Sequence, residues 1–286
     1  MTAQTIAGDA GLRFFGRVRR LPVATTIAVA ALGTILFMAI FGPLLVSQDP
    51  NLVDLLNPYA PPSVDHLLGT DEGGRDLFAR LIVGARTAVI GPLIVVSIGT
   101  LFGLVLAIFA AWFGGLLDVG ISRFTDLLLA FPGLLLAIVA TSVFGVGLVV
   151  AAVALSVAYV PYIARVVRSE ALRQRRLPYI EASWLRGVPT RVIWLRDLLP
   201  ALSGVIYAQI VLSFAYATID VAAVSYLGLG VQAPTADWGT MVASGQKGIL
   251  EGHPMEALSA GACLVIMILS LGVVGDHLSD RAERKR

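Results

Sequence analysis

The 286-residue chain is poor in charge and nearly without cysteine: 14% of residues are charged, and the single thiol, Cys263, lies in an apolar run. One thiol excludes an internal disulfide framework and a cysteine-based metal centre within one chain. The three histidines, His66, His253 and His277, are far apart in sequence and lack ligand spacing. Neither HExxH nor GxSxG occurs, so no zincin helix and no nucleophile elbow is encoded. A Walker A loop is also missing; Gly11 to Arg17 has the glycine spacing but not the Lys-Ser/Thr that a phosphate cradle needs. What fills the chain is apolar. Hydrophobic residues make up 57%, which is outside the range of soluble globular domains and inside that of multi-span membrane proteins.

The apolar residues gather into runs at about 23–46, 89–113, 127–144, 148–167, 202–224 and 258–274. The first follows Arg13, Arg17, Arg19 and Arg20. It is as long as the roughly 20 residues a bilayer requires and longer than a signal peptide's core, so it is expected to be a membrane helix. Arg165, Arg168, Arg173, Arg175, Arg176, Arg186, Arg191 and Arg196 fall in one region. The positive-inside rule places that region in the cytoplasm. Six spans then put residues 1–22 and the basic tail 281–286 inside, and 47–83 and 225–255 outside. Only Arg75, Arg80, Arg86 and Lys247 fall elsewhere. Trp112 and Trp238 are expected at membrane interfaces, and Glu170 is expected to pair weakly with Arg173 on a helix surface.

Within the spans, Gly99 and Gly103 have the GxxxG spacing that lets a second helix approach closely. Gly114 to Asp126 is expected to be a short loop carrying Asp118 and Arg123. Phe131-Pro132-Gly133 is expected to kink the third span; the kink either lines a path or is absorbed by neighbouring packing. Asp220 lies near the outer end of the fifth span. An acid costs about 2.5–3.5 kcal/mol at the centre of a membrane helix and less near its ends. It is therefore a pathway residue or a carboxylate reaching outer water, and the residues alone leave both readings open.

The rest of the chain is organised around Tyr179–Pro200, a polar, arginine-rich island. Pro178 can open a helix, because the first N–H groups of a helix lack partners. Gly187 permits the positive φ that ends one, and Pro189 resists its continuation. Two short helices with a break at Gly187 are expected. Glu181 falls in the first turns, where a carboxylate suits the helix dipole, and Arg173, Arg175, Arg176 and Arg186 are near it in sequence.

Glu181, Ala182, Ser183, Gly187, Leu199 and Pro200 resemble the EAA loop of bacterial ABC importer permeases, with Ser183 for the second alanine and Asp197 at a position usually Ile. His66–Arg86, HLLGTDEGGRDLFARLIVGAR, resembles the N-terminal signature of the C-type subunit of dipeptide, oligopeptide and nickel permeases. Ser225–Gln246 and the run Gly275, Asp276, Leu278, Asp280 resemble further segments of that group. By that resemblance the 66–86 segment is expected to be an outer-face element near the receptor and the pathway entrance. As bare sequence it is also a surface amphipathic helix opened by Asp71 and Glu72.

The resemblance implies an all-α integral membrane protein with six transmembrane helices, the type I ABC importer permease fold, and a cytoplasmic coupling helix. It makes 23–280 the transmembrane permease domain and 168–200 the coupling loop. It implies a multi-pass protein of the bacterial inner membrane that imports di- or oligopeptides, with nickel chelates, haem or another small solute as alternative cargo. The implied partners are a B-type permease in a heterodimer, one or two ATPase subunits, an extracytoplasmic substrate-binding protein and membrane lipid, and no nucleic acid. No cofactor is expected in this chain, because ATP and Mg belong to the ATPases. Asp71, Arg75, Asp76, Asp220 and Trp238 are the residues singled out for the pathway or for receptor contact. An ATP-independent secondary transporter would need ion-coupling acids near the midplane; Asp220 is the sole candidate, and it lies near a span end. An intramembrane enzyme would need a nucleophile and base that the sequence does not pair, and a non-transporting scaffold leaves the motifs unexplained.

Overall fold

The computed structural model describes residues 23–284, with side chains to 280. The expected inside segment 1–22 lies outside the described residues, as do the side chains of the basic tail. The order of elements is α1 (Val23–Leu45), α2 (Leu77–Phe113), α3 (Gly115–Leu129), α4 (Gly133–Phe144), α5 (Leu148–Arg175), α6 (Pro178–Leu185), α7 (Thr190–Ile193), a π turn (Trp194–Leu198), α8 (Leu199–Tyr226), α9 (Trp238–Leu250) and α10 (Met255–Arg284). The fold is all-helical. Among the described residues five helices are long and apolar enough to cross a membrane, and six if α3 and α4, which meet at 77°, form one broken span.

Helix α2 is the spine. Its 37 residues span about 55 Å at the α-helical rise. It packs most extensively on α5, and the glycines explain how. A methyl group on Gly99 would sit 2.9 Å from Tyr159 Cβ, and one on Gly103 the same distance from Ile163 Cβ. Three apolar clusters follow one another along the spine. Leu77, Leu81 and Ala85 pack with Trp238, Met241 and Met267. Val95 and Val96 pack with Leu155, Val221 and Val224. Ala107, Ile108 and Ala111 pack with Ile163, Val167, Leu198 and Leu202.

Several expectations are corrected. The 66–86 segment forms no separate surface helix. Residues 66–76 make a tight loop with a Thr70–Asp76 bridge, and Leu77 begins α2 itself. Asp76 starts the helix, its Oδ1 accepting from Ala79 N at 2.6 Å; Asp71 and Glu72 do not. The expected 114–126 loop is helical. Its charges, which read as loop-like, are matched from α5: Arg168 holds Asp118 in a two-pronged pair, and Arg165 holds Asp126 at 2.7 Å. The bend expected at Phe131-Pro132-Gly133 is present, and it is a 77° break between α3 and α4. Helix α5 continues past residue 167 to Arg175, and the second short helix of the arginine-rich loop runs on through the π turn into α8. The 225–255 segment, expected outside, contains α9.

Candidate functional site

The arginine-rich loop is built from α5 outward. Glu170, near the end of α5, is buried and takes bonds from Arg173 Nε at 3.0 Å and Gln174 Nε2 at 2.8 Å. Gln174 Oε1 in turn accepts from Tyr179 OH at 2.9 Å, which ties α5 to α6. The surface pair expected of Glu170 is therefore a buried node. Burial also raises the Tyr179 hydroxyl pKa, so it stays a donor near neutrality. Pro178 opens α6, and Ile180 and Ser183 turn inward.

Helix α6 ends in a Schellman turn. Gly187 N donates to Trp184 O at 2.9 Å and Val188 N to Ser183 O at 3.2 Å, closing two free carbonyls. This requires a left-handed residue, and Gly187 has φ 74°. Arg186 folds back over the same end, reaching Ala182 O at 3.2 Å and Ser183 Oγ at 3.3 Å. A cation there complements the helix dipole. The arginine that fixes the loop thus acts on Ala182 and Ser183. Glu181 is exposed and forms no ion pair among the described residues.

Leu199 and Pro200 close the loop. Proline lacks the N–H that would bond four residues back, and its ring crowds that carbonyl. The chain widens into the π turn just ahead of it, where Leu199 N bonds Trp194 O. Trp194 anchors this return to the end of α2, with its ring 5.9 Å from Trp112 and 5.5 Å from Phe109. Arg175 caps α2 by donating to Ala111 O at 2.8 Å, and it lies over the Trp112 ring. Trp112, Arg175, Glu181 and Trp184 border a cavity of about 630 Å³ beneath α6.

The outward surface of α6 carries two residues the sequence reading passed over. Trp184 is 66% exposed and Leu185 81%. Large apolar side chains offered to solvent beside arginines are the composition of a docking surface. The available signal was an adjacent Trp-Leu pair inside an otherwise polar loop.

The other singled-out residues divide. Asp71, Arg75 and Asp76 meet in the 66–76 loop. Asp71 is buried, accepting from Gly73 N at 2.8 Å and Arg75 N at 2.9 Å and facing Arg75 and the buried Arg80 at 3.6 and 3.7 Å. Asp76 is buried too, capping α2 and facing His66 at 2.9 Å. Trp238 is fully buried, its Nε1 donating to Leu81 O at 2.9 Å and its ring set against Gly84. It is a core residue rather than an exposed interface anchor or receptor contact, because the missing side chain at Gly84 opens a slot for it. Asp220 stands apart. Its Oδ2 accepts from Tyr159 OH at 2.7 Å, at a cavity of about 600 Å³ walled by α5, α8 and the break between α3 and α4.

The family model described as binding-protein-dependent transport system inner membrane component matches residues 78–286. The chain belongs to this family. It is similar, at 34% identity, to the dipeptide transport system permease protein DppC of Alkalihalophilus pseudofirmus, over 87% of this chain and 82% of that one. It is 34% identical to the oligopeptide transport system permease protein OppC of Bacillus subtilis, over 97% and 89% of the two chains. It is 33% identical to the probable D,D-dipeptide transport system permease protein DdpC of Escherichia coli, over 96% and 92%. Among solved structures, it superposes on a chain of the inward-facing MetNI methionine ABC transporter with TM-score 0.57 and 20% identity, covering 71% of this chain and 96% of that one. That likeness shows the fold, the type I ABC importer permease. The chain is an inner-membrane permease subunit of a binding-protein-dependent importer, a system that also includes an ATPase and a substrate-binding protein.

Proposed function

We propose that this chain is the C-type permease of a peptide importer, paired with a B-type permease and driven by separate ATPase subunits that grip α6. Both termini and the arginine-rich loop face the cytoplasm on this reading, and the 66–76 loop faces the substrate-binding protein. ATP and Mg act in the partner subunits, and this chain contributes no cofactor. The relatives named for dipeptides and oligopeptides support peptide as cargo. One observation carries the coupling role: a capped, eight-residue helix that offers Trp184 and Leu185 to solvent.

The mechanism follows from stiffness. Helix α6 is tied to α5 through Tyr179, Gln174 and Glu170, and closed at its far end by the Gly187 turn. A push on α6 therefore reaches α5 directly. Helix α5 holds α3 through Arg168–Asp118 and Arg165–Asp126, so α3 is carried along and the break at 130–132 is the natural hinge. The cavity at Asp220 is walled by that break. ATPase closure would thus reshape the pathway through linked rigid elements.

The test replaces Trp184 and Leu185 by alanine in the complete transporter. The expected outcome is an unchanged membrane level, loss of co-purifying ATPase, and loss of peptide-stimulated ATP hydrolysis. Normal ATPase capture by that variant would remove α6 as the docking element.

A further inference from the structure

The cavity at the broken span has a chemical bias. Gln209, Ser213, Tyr216 and Asp220 recur at steps of four, three and four residues, so they share one face of α8. That polar stripe runs about 16 Å along an otherwise apolar helix. Facing it are Tyr159 and Tyr162 of α5 and Phe131 at the break. Among the described residues, four aromatic rings and one carboxylate line the space, and no lysine, arginine or histidine does. Aromatic faces and a carboxylate without a counter-charge form the environment that recognises an ammonium group.

Asp220 itself is set up for this. Tyr159, which is buried, donates to Oδ2, and no bond to Oδ1 is formed among the described residues. No ion pair neutralises it among the described residues. An ionisable residue kept in a membrane helix without an ion-pair partner is a functional group by default. Asp118 and Asp126, by contrast, each hold a bonded arginine.

We propose that the Asp220 carboxylate, steadied by Tyr159 and flanked by aromatic faces at the break in the third span, is a recognition point for a cationic group on the transported solute, the free α-ammonium of a peptide. This rests on the peptide reading above. Tyr159 is a positioning residue: it fixes one carboxylate oxygen and leaves the other for the ligand.

The experiment measures equilibrium binding of alanylalanine and of N-acetyl-alanylalanine to the purified complete transporter without its binding protein. Wild type should favour the free amine by about tenfold or more, the worth of one charge-assisted hydrogen bond. Asp220→Asn should bring the ratio close to one, Asp220→Glu should restore part of it, and Tyr159→Phe should lower it partway. Equal binding by wild type, no binding at all, or an unchanged ratio in Asp220→Asn overturns the proposal. If Asp220→Asn fails to assemble, the wild-type ratio and Tyr159→Phe decide it. Uptake of alanylalanine by wild type with its binding protein is scored separately. Uptake with an unchanged ratio in Asp220→Asn fails this inference alone, whereas absence of uptake fails the peptide reading and this inference with it.

Discussion

The two ends of α2 carry the two strongest sequence signatures, and they are built in opposite ways. At its start, the 66–76 loop and the beginning of α9 turn their signature residues inward: Asp71, Asp76, Arg80 and Trp238 are all buried. At its other end, α6 turns Glu181 and Ala182 of its signature outward together with the neighbouring Trp184 and Leu185, and of that short helix only Ile180 and Ser183 are buried. A motif is thus no guide to whether its residues face solvent. The buried end holds a shape that other elements pack on. The exposed end holds a surface, and its interior is reduced to a few bonds that keep one short helix rigid.

The largest effect expected from this contrast is Trp238→Ala. Truncating a fully buried tryptophan costs about 3–5 kcal/mol, and the Leu81 carbonyl also loses its donor. Thermal unfolding of the purified complex should shift down sharply and the membrane level should fall. Trp184→Ala, at the exposed end, should stay within about 0.5 kcal/mol of wild type when both are unfolded without the ATPase subunits. Equal losses from the two tryptophans would erase the distinction between the ends.

Asp71→Ala comes next. It leaves Arg80, buried and 3.7 Å away, without its carboxylate, and strands the backbone N–H groups of Gly73 and Arg75. Removing one partner of a buried pair costs about 3 kcal/mol. The purified complex should unfold at lower denaturant, while ATPase capture at the far end persists. A variant that loses ATPase capture but keeps its unfolding midpoint would mean that the two ends are coupled rather than separate.

The Gly187 series follows, and it separates backbone from space. A Cβ there would meet nothing within 4 Å among the described residues, so the positive φ is the obstacle they present. Gly187→Val would hold that conformation at about 1–3 kcal/mol and should misplace α6. Uptake should fall to near background with membrane level retained. Gly187→Asn tolerates the left-handed region and should transport close to wild type. Loss in both variants would point to a contact made by the bare glycine instead.

How much of this was legible follows the range of each interaction. Pro178, the Gly187 turn and the Gly99–Gly103 seam were readable because each depends on one residue's backbone or missing side chain. The start of α2 was misread because Asp71 and Asp76 both make acceptable caps, and only the Asp76 bond to Ala79 decides between them. Helix α3 was read as a loop because Asp118 and Asp126 find their arginines 50 and 39 residues away. Trp238 was read as an interface anchor because tryptophan suits both sites, and its slot is provided by Gly84 on a distant helix. Asp220 stayed undecided for the same reason, since Tyr159 is 61 positions removed.

The smallest effect sharpens the comparison most, because it lies at the buried end but on its surface. Lys247 of α9 pairs with Glu72 of the 66–76 loop, and the two side chains are 56% and 53% exposed. If location alone made that end stable, breaking this pair would matter as much as losing Asp71. Burial argues otherwise, since water already solvates both charges and salt screens them. Glu72 raises the Lys247 pKa, first through their hydrogen bond and then through its charge. The sign follows: a raised lysine stabilises the fold at every pH below the ordinary value of about 10.4, and that contribution is lost as pH rises through the raised folded value. Unfolding midpoints of Lys247→Met and wild type should therefore run parallel from pH 6 to 8, nearly superimposed at physiological salt. They should converge only in the alkaline range above about pH 10. A Lys247→Met midpoint as low as that of Asp71→Ala would show that the loop is held to α9 by its surface charges, and the buried network would lose its place as the source of order at that end.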